Sequence, residues 1–483
     1  MNHRRALVAA FAALFLALVP SCGRRGEWYV GHGVLLIAVD GLRADHLGYA
    51  GYDRDTSPHV DTLAKHAVSF DGALALSPLA FPSLATLLTG CDPNMSRRRL
   101  PALSPSVGSD AWFVKDTLPS LAVEFAVAGY STAAFVDTTA FDANRGIERG
   151  FQVVRRVESE AERLDRGPLE LAAEWVRSRR VDEDWFCFVQ LDDLLRAFER
   201  PHPYWDGFFE PRPELDWIPP VGAVERNFHA IPPSRWEGGT IPMARYEARY
   251  DGAVRRFDDA VQSLFDKVEL GGRFKRTTVC LVGAYGFEFG ENGLLLDHGM
   301  CAPQDVHVPF LLRPAIELAT TFPEGARHRS LVTLADVAPT LLELSGVPIP
   351  EGVHGESLVP RLAAVDDDAL PDDLRELAKR RTVVVSSGLF FGAAVYGDEL
   401  VVDNVVPVIG AVPRMIDQWL GRPPVEAREV RVYDWRDPPP DQLLEGPDGP
   451  PGSEAEVARL EAALATWFEH FLVDEHTKFW GAP

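Results

Sequence analysis

Positive charge and cysteine are both scarce in this chain. Its 483 residues include 48 Lys and Arg against 71 Asp and Glu, which gives a formal net charge of −23. Proteins that bind nucleic acid, or that adhere to anionic lipid by charge alone, need clustered cations, so this composition argues against both classes. Only five cysteines are present and no two have CxxC spacing, which argues against a structural zinc module.

Apolar runs long enough to cross a membrane are also absent. The longest apolar run, residues 6–18, is too short for a comfortable span and follows Arg4 and Arg5, a pattern typical of an export signal. The sequence Val-Pro-Ser-Cys at 19–22 resembles a bacterial lipobox, whose cysteine is lipidated. We therefore predict an exported protein of the bacterial cell envelope, tethered to a membrane by lipid on Cys22 alone. The alternative is an ordinary secretory signal cut nearby.

Apolar runs of strand length alternate with amphipathic helical patterns, which predicts an α/β fold. Residues 34–39 form a continuous apolar run that ends at Asp40, as in a buried parallel strand. Similar runs predict strands at 131–136, 185–191, 277–282 and 308–312. Helical spacing of apolar residues predicts helices at 82–88, 246–264 and 331–344.

The pattern changes after about residue 380. Short strands are predicted at 382–385, 392–396, 399–402 and 429–433, followed by a Pro/Gly-rich linker at 438–452 and a closing amphipathic helix at 455–471. The chain is thus divided into a signal peptide (1–21), a tether (22–32), an α/β domain (33–365) and a C-terminal α+β subdomain (366–483). Within the α/β domain, residues 198–242 are rich in aromatics and proline and predict a long loop that caps the body.

Motifs in matching order along most of the chain resemble the sulfatase family of the alkaline phosphatase-like superfamily. The run AFPSLATLLTG at 80–90 is similar to the family signature, C/S-x-P-S-R followed by a helix that ends L-L-T-G. The opening strand with its acidic turn at 34–48 and the D-x-x-P-T-L-L…G-x-S-L pattern at 336–358 are similar as well. The resemblance implies a mixed, mostly parallel sheet sandwiched by helices, with a small C-terminal antiparallel sheet plus helix.

The resemblance places inert side chains at both reactive positions of the signature. In the family, the first signature residue is a cysteine or serine matured to the aldehyde hydrate that attacks sulfur, and the fifth is an arginine. Those two positions are Ala80 and Leu84 in this chain. Ser77 and Ser83 flank the lost nucleophile and are alternative nucleophiles, although Ser83 coincides with the family's own structural serine.

The resemblance also leaves few metal ligands. The family holds a divalent cation, usually Ca²⁺, with an opening D-D pair and a later D-H or D-N pair, because hard cations need several oxygen ligands at once. The opening pair is Asp40 and Gly41 in this chain, and the later pair falls on Ala284 and Tyr285. Only Asp40 remains of this set, so we expect no tightly bound cofactor.

The replaced positions leave three hypotheses about function open. The first is a catalytically inactive, lipid-anchored pseudo-sulfatase that binds a sulfated or phosphorylated glycan or an envelope protein. The second is an active sulfuric or phosphoric ester hydrolase with a rearranged site that uses Ca²⁺ or another divalent metal. The third is a structural envelope lipoprotein that docks through residues 198–242. His298 aligns loosely with a family residue that contacts sulfate and is the candidate for an anion pocket; the alternative is a surface histidine.

Overall fold

The structure is a computed structural model that describes most of residues 31–386 and three further strands at 393–396, 400–405 and 429–434. The main gaps in the first range are 99–111, 199–204, 212–216, 223–229 and 316–321. The predicted signal peptide, Cys22, the linker and the closing helix lie outside the described residues, as does much of the aromatic segment at 198–242. None of the described helices combines the length and the apolar character that crossing a bilayer requires.

Strands and helices alternate along the body of the chain. The strands are β1 (Gly33–Asp40), β2 (Val68–Leu74), β3 (Arg97–Arg98), β4 (Trp112–Phe113), β5 (Ser131–Val136), β6 (Val153–Arg156), β7 (Trp185–Leu191), β8 (Thr277–Tyr285), β9 (Glu288–Phe289), β10 (Leu295–Asp297), β11 (Phe310–Arg313), β12 (Arg327–Thr333), β13 (Val383–Ser386), β14 (Ala393–Tyr396), β15 (Leu400–Val405) and β16 (Glu429–Asp434). The α-helices are α1 (Pro58–Lys65), α2 (Ala80–Thr89), α3 (Leu121–Val127), α4 (Pro168–Arg177), α5 (Trp205–Phe208), α6 (Met243–Glu269), α7 (Pro303–Val306), α8 (Val337–Leu344), α9 (Val359–Leu362) and α10 (Asp372–Lys379). Short 3₁₀ helices lie at Ala44–His46, Gly48–Ala50, Leu195–Phe198, Pro233–Arg235, Phe274–Arg276, Leu334–Asp336 and Asp367–Ala369.

The central sheet has eight strands in the order β12-β2-β11-β8-β1-β7-β5-β6. All neighbouring pairs are parallel except those of β11, which runs antiparallel to β2 and β8. The expected mixed, mostly parallel sheet is therefore confirmed. β1 lies in the middle of the sheet and is buried along its whole length, as its uninterrupted apolar run predicts.

Helices cover both faces of this sheet, and alternate residues of β1 enter the two resulting cores. Leu36 and Ala38 join the core that also contains α2, α3 and α8, whereas Leu35 and Ile37 join the core that contains α4 and α6. Each large apolar side chain that is fully buried contributes about 1.5–3 kcal/mol relative to leaving it exposed. The sheet is thus held from both sides, which fixes the positions of its strand ends.

Helix α2 begins at Ala80, two residues before the predicted start, and ends at Thr89. Pro82 occupies its third position, where a missing N–H does no harm because the first four amides of a helix have no intrahelical acceptor. Gly90 follows with φ of 67°, the left-handed conformation that often ends a helix. The helix is buried along nearly its whole length, so it is a packing element as well as the carrier of the signature.

The helix predicted at 331–344 is wrong over its first residues. The chain up to Thr333 belongs to β12, and α8 begins only at Val337. Between them, the Asp336 carboxylate accepts hydrogen bonds from the amide and the hydroxyl of Thr333, at 2.7 and 3.3 Å. This capping interaction ends the strand and starts the helical turn. Apolar spacing could not reveal the change, because the last strand residues happen to fit the helical pattern.

Strands β13 to β16 form a separate antiparallel sheet, which confirms the small C-terminal sheet. The segment that precedes it packs on the body of the protein. Asp367 accepts hydrogen bonds from the amides of Arg329 and Ser330, at 2.6 and 2.8 Å. Arg381 donates to Asp336 Oδ1 at 2.8 Å. These contacts tie the chain just after residue 366 to β12 and to the turn before α8.

Candidate functional site

Three neighbouring parallel strands lead into acidic residues at one edge of the central sheet. Asp40 is the last residue of β1, Asp192 follows β7 and Asp137 follows β5. Val39 pairs with Leu191 across the sheet, so Asp40 and Asp192 come next on adjacent strands. Open α/β sheets place their ligands outside the carboxyl ends of such strands. This edge is therefore the candidate site.

Asp40 is the central acid of this edge and is only 2% exposed. Burial, and next the negative charge of Asp192, raise the pKa of its carboxyl to about 8, and Asp137 adds a smaller effect in the same direction. The side chains of Gln190 and Tyr285 act to lower this pKa, yet Asp40 Oδ1 has no hydrogen-bond partner among the described residues. Without a neighbouring cation the carboxyl is therefore mostly neutral at pH 7.

Tyr285, at the end of β8, closes the site from the strand on the other side of β1. It pairs with Asp40 in the sheet, and its hydroxyl donates to Asp40 Oδ2 at 3.2 Å. Its ring lies 4.5 Å from that of His298, centroid to centroid. Burial, and next the charges of Asp40 and Asp192, raise the pKa of Tyr285 well above its usual value, so the phenol stays protonated. A position that the resemblance assigns to a metal ligand thus carries a hydrogen-bond donor.

Gly41 and Ala284, the other two positions expected to supply metal ligands, offer no side-chain oxygen. Gly41 has φ of 73°, and a Cβ at this position would lie 2.8 Å from Leu195 Cδ2. An acid at position 41 would therefore be strained in this backbone. Ala284 is fully buried, and its carbonyl oxygen accepts a hydrogen bond from the Ser83 hydroxyl.

Ala80 and Leu84 lie in the first turns of α2 and take part in packing. Ala80 is partly buried against the core, and Leu84 is fully buried within it. Ser83 lies between them and gives its hydrogen to a backbone carbonyl oxygen, so this hydroxyl is not held by a general base. Ser77 is buried as well, and its Oγ accepts the Leu79 amide at 3.4 Å.

His298 lies beside Tyr285 and next to the loop that leads into α2. Its Nδ1 donates to the carbonyl oxygen of Pro78 at 2.7 Å, and its amide donates to Asp297 Oδ1 at 3.0 Å. Arg235 reaches the same corner, with Nη1 3.6 Å from Asp297 Oδ1. The structure thus brings His298 to the candidate site, together with a cation that the sequence analysis did not single out.

Asp137, Gln190 and Asp192 are further site residues that the sequence analysis missed. Gln190 is fully buried, and its Oε1 accepts the amides of Asp137 and Thr138, both at 3.0 Å. Asp192 accepts two hydrogen bonds from Arg196, at 2.9 and 2.8 Å. A signal for the two acids was available in the sequence. Asp137 comes directly after the predicted strand at 131–136 and Asp192 directly after the predicted strand at 185–191, as Asp40 comes after the apolar run at 34–39.

The acids at this edge do not form the donor set of a hard cation. Ca²⁺ binds oxygens at about 2.3–2.6 Å, so two ligands of one ion lie at most about 5 Å apart. Among the described residues, the His, Cys, Asp and Glu side chains that form a group of at least three, with their ligand atoms within 4.8 Å of one another, are those of His59, Asp258 and Asp259. Asp40 is not part of it. The described side chains of this edge therefore do not fit the metal ion that the resemblance implies.

Comparison with known sequences finds sulfatases. A family model described as Sulfatase matches residues 32–347. The chain is similar to the ulvan-active sulfatase of Formosa agariphila, with 24% identity over 370 residues, and the match covers 70% of this chain and 66% of that protein, just under two thirds of its length. It is also similar to an arylsulfatase of Clostridium perfringens, with 22% identity over 67% of this chain and 77% of that protein.

Comparison with solved structures finds the same fold. The chain is similar to a 2-O GAG sulfatase, with a TM-score of 0.65 and 17% identity over 92% of this chain and 94% of that chain. It is also similar to the phosphonate monoester hydrolase of Agrobacterium radiobacter, with a TM-score of 0.62 and 15% identity over 92% of this chain and 96% of that chain. The TM-scores establish that the chain has the alkaline phosphatase-like fold of these proteins, whereas identities this low say nothing further about its activity.

Proposed function

The chain belongs to the sulfatase family, and from that premise we propose that it is a catalytically inactive member whose role is binding. The hydrogen bond between Tyr285 and Asp40 carries this proposal. The acid that is left from the family's metal site is 2% exposed and faces a phenol where an active enzyme would hold a cation. A single buried carboxyl of this kind is a poor ligand for a hard metal ion.

The charge of the edge supports the same proposal. Hydrolysis of a sulfate ester passes through an anionic transition state, with charge on the oxygens of the transferred group and growing charge on the departing oxygen. Enzymes stabilise this charge with metal ions, arginines or amide dipoles. In this chain the arginine position is Leu84, and the carboxyls of Asp137 and Asp192 lie beside Asp40. Ionised acids at this edge would raise the free energy of an anionic transition state. The nucleophile position, Ala80, offers no group that could attack.

We propose a sulfated glycan as the partner of this inactive site. Relatives of the chain include an ulvan-active sulfatase, and one similar structure is a complex with D-glucosamine-2-N,6-O-disulfate. Anionic groups of such a glycan would bind near Arg235 and His298, on the side of the site that Tyr285 separates from Asp40. Titration calorimetry with sulfated and chemically desulfated glycosaminoglycan fragments tests this, and equal affinity for both would contradict it.

We further propose that the protein is exported and tethered to the bacterial envelope through lipid on Cys22. The lipobox-like sequence at 19–22 supports this. Expression with and without Cys22→Ala, followed by membrane fractionation, tests the tether. The wild type is expected in the membrane fraction and the variant outside it; the same distribution for both would remove the lipid anchor.

An assay with 4-nitrophenyl sulfate and 4-nitrophenyl phosphate, in the presence of Ca²⁺, Mn²⁺ or Zn²⁺, tests the lack of activity. We expect no turnover above that of the Asp40→Ala variant, because the nucleophile and the metal donors are both missing. Turnover that Asp40→Ala abolishes would overturn the proposal.

Repair of the signature tests the role of the metal positions. The double variant Ala80→Cys, Leu84→Arg, produced with a sulfatase-maturing enzyme, should remain inactive because Gly41, Ala284 and Tyr285 still supply no carboxylate. Circular dichroism must show that the variant is folded, since Leu84 is fully buried. Sulfatase turnover by the folded double variant would mean that the metal positions are not needed.

An active hydrolase with a rearranged site is the second candidate function. The presence of Asp137 and Asp192 near Asp40 favours it, because three acids could gather around an ion after a local rearrangement. In that case Asp137→Asn and Asp192→Asn would each remove turnover. Under the proposal of an inactive protein, there is no turnover for them to remove.

A further inference from the structure

A cluster of potential metal ligands lies away from the strand-end acids, where α1 meets α6. His59 is in the first turn of α1, and Asp258 and Asp259 are consecutive residues of α6. One ligand atom from each side chain lies within 4.8 Å of the other two. The three side chains come from segments 199 residues apart in the chain, so the fold itself assembles the cluster.

The spacing within the cluster suits an ion better than a direct contact. His59 Nε2 and Asp259 Oδ1 are 3.6 Å apart, which is too long for a hydrogen bond. Two ligands of a tetrahedral Zn²⁺ site, each bound at about 2.0–2.2 Å, lie roughly 3.4 Å apart. The two atoms therefore need to move little to bind the same ion.

Asp258 is the rigid member of the cluster. It is fully buried, and its Oδ1 accepts the amides of Val60 and His59 at 2.7 and 3.1 Å, while Oδ2 accepts the His59 amide at 3.0 Å. These bonds fix the carboxylate and cap the start of α1. A carboxylate has about four lone-pair positions, so it can accept these amides and still bind a metal ion.

His59 and Asp259 are the adaptable members, because their side chains are 38% and 34% exposed. Their exposure gives an ion a path from solvent and leaves room for water at the remaining coordination positions. An imidazole nitrogen with two carboxylates is a mixed donor set that suits Zn²⁺ and similar transition-metal ions better than Ca²⁺. We propose that His59, Asp258 and Asp259 form a binding site for Zn²⁺, here called the α1–α6 site, which clamps α1 to α6.

Arg255 competes with an ion for this site. Its Nε lies 3.3 Å from Asp259 Oδ1, and its Nη1 donates to Asp55 Oδ2 at 3.0 Å. Binding of Zn²⁺ would place a second positive charge on Asp259, next to this guanidinium. Removal of the guanidinium should therefore strengthen metal binding, which distinguishes the site from a simple ion pair between His59 and Asp259.

The test is a titration of the full-length, tag-free protein at pH 7.5 with Co²⁺, followed by its visible absorption, and competition of bound Co²⁺ with Zn²⁺. We expect one ion per chain. His59→Ala and Asp259→Asn should each weaken binding by at least about tenfold, because each removes one of three ligands. Arg255→Ala should strengthen binding. Both ligand variants change partly exposed side chains, so they leave folding intact.

His66→Ala is the matched control. His66 follows α1 and pairs with Glu324 at 3.1 Å, and both side chains are more than half exposed. Among the described residues this pair is not part of a group of three potential metal ligands. This variant should bind Co²⁺ as the wild type does. A wild-type protein that binds no ion at micromolar concentration would overturn the proposal, as would undiminished binding by His59→Ala.

The α1–α6 site also changes how metal content must be interpreted. Zn²⁺ found in the purified protein is expected to come from this site, so its presence alone would not indicate hydrolysis. The metal should remain in Asp40→Ala and disappear from His59→Ala. Metal that is lost from Asp40→Ala and kept in His59→Ala would place the ion at the strand ends. That result would contradict both the α1–α6 site and the proposal of an inactive protein, whereas a failure of the Co²⁺ titration alone would contradict only the α1–α6 site.

Discussion

Two buried aspartates in this protein have opposite surroundings. Asp251, in α6, is fully buried and accepts hydrogen bonds from His46 Nδ1 at 2.8 Å, from the Tyr52 hydroxyl at 2.9 Å and from Arg54 Nη1 at 2.5 Å. Burial acts to raise its pKa, but the bonds and charges of His46 and Arg54 outweigh burial and hold the pKa below its usual value. Asp251 is thus ionised and compensated.

Asp40 is as deeply buried but has no such compensation. Burial and the charges of Asp192 and Asp137 raise its pKa to about 8, against the opposing effects of the Gln190 side chain and of the Tyr285 hydroxyl. A buried carboxyl is stable only when a cation or several donors accompany it. In the sulfatase family that cation is a metal ion shared by several ligands. Under the proposal of an inactive member, Asp40 is the uncompensated acid of that set.

Asp251→Asn should cause the largest loss of stability. The substitution keeps the size of the side chain but puts a neutral amide beside the buried His46 and Arg54, and Arg54 keeps the Glu247 carboxylate at 3.1 Å. We therefore expect a loss of about 3 kcal/mol, the lower end of the range for a broken buried pair. Urea unfolding followed by circular dichroism measures it. Asp266→Asn is the control on the same helix, because Asp266 is exposed and its Oδ1 accepts a hydrogen bond from the side-chain amide of Gln262. Equal effects of the two substitutions would mean that the Asp251 contacts contribute nothing specific.

Asp40→Asn should have the opposite sign and should depend on pH. The pKa of Asp40 is raised from 3.8 to about 8 on folding, so the folded state holds a proton that the unfolded state releases. Wild-type stability therefore falls as pH rises between about 4 and 8, by up to about 1.4 kcal/mol per pH unit. Asparagine does not ionise, so the variant should gain up to about 4 kcal/mol over the wild type between pH 5 and pH 8.

Urea unfolding at pH 5, 6, 7 and 8 measures this gain. Addition of Ca²⁺ is the control, because a bound ion would favour the ionised carboxylate and reverse the effect. A variant that is less stable than the wild type at pH 8, in the presence of Ca²⁺, would show that Asp40 is a metal ligand after all.

The contrast between the two aspartates was only partly predictable from sequence. The strand that ends at Asp40 follows from its uninterrupted apolar run, and ordered motifs align Ala80, Leu84 and Tyr285 with reactive and metal-binding positions of the family. The contact between Tyr285 and Asp40 did not follow, because it depends on the pairing of β1 with β8 in the sheet. The order β1-β7-β5, which brings Asp192 and Asp137 to the same edge, is likewise a property of the fold and not of any local pattern.

Contacts between helices were harder still to foresee. Apolar spacing predicts that α6 buries one face, but it does not say which element packs on that face. His59 and Asp258 meet because α1 packs on α6. Asp251, also in α6, contacts His46 and Arg54, which lie about 200 residues earlier in the chain, so this contact too depends on the tertiary fold. Sequence reasoning aligned Ala80 and Leu84 with the reactive positions of the family, an assignment that stays a prediction, and missed both the compensated aspartate and the α1–α6 site.

Asp367→Asn should give an intermediate effect. Asp367 accepts hydrogen bonds from His328 Nδ1 at 3.1 Å, from two backbone amides and from the Ser330 hydroxyl at 2.9 Å. Burial acts to raise its pKa, but these bonds outweigh burial and lower the pKa from 3.8 to about 2. The variant should lose about 2 kcal/mol at pH 7, and the difference from the wild type should vanish as pH falls from 4 towards 2. A difference that does not change with pH would attribute the loss to packing and not to charge.

Ser83→Ala should give the smallest effect and bears most directly on the candidate site at the strand ends. Removal of the Ser83 hydroxyl deletes its hydrogen bond to the Ala284 carbonyl, for a loss of about 1 kcal/mol in unfolding free energy. Ser77→Ala is the matched control, since Ser77 is equally buried but accepts one long bond of 3.4 Å, and it should lose less. Neither substitution should change binding at the site. If the wild type showed ester hydrolysis that Ser83→Ala alone abolished, Ser83 would be a nucleophile, and the emptied strand end would be a rearranged active site.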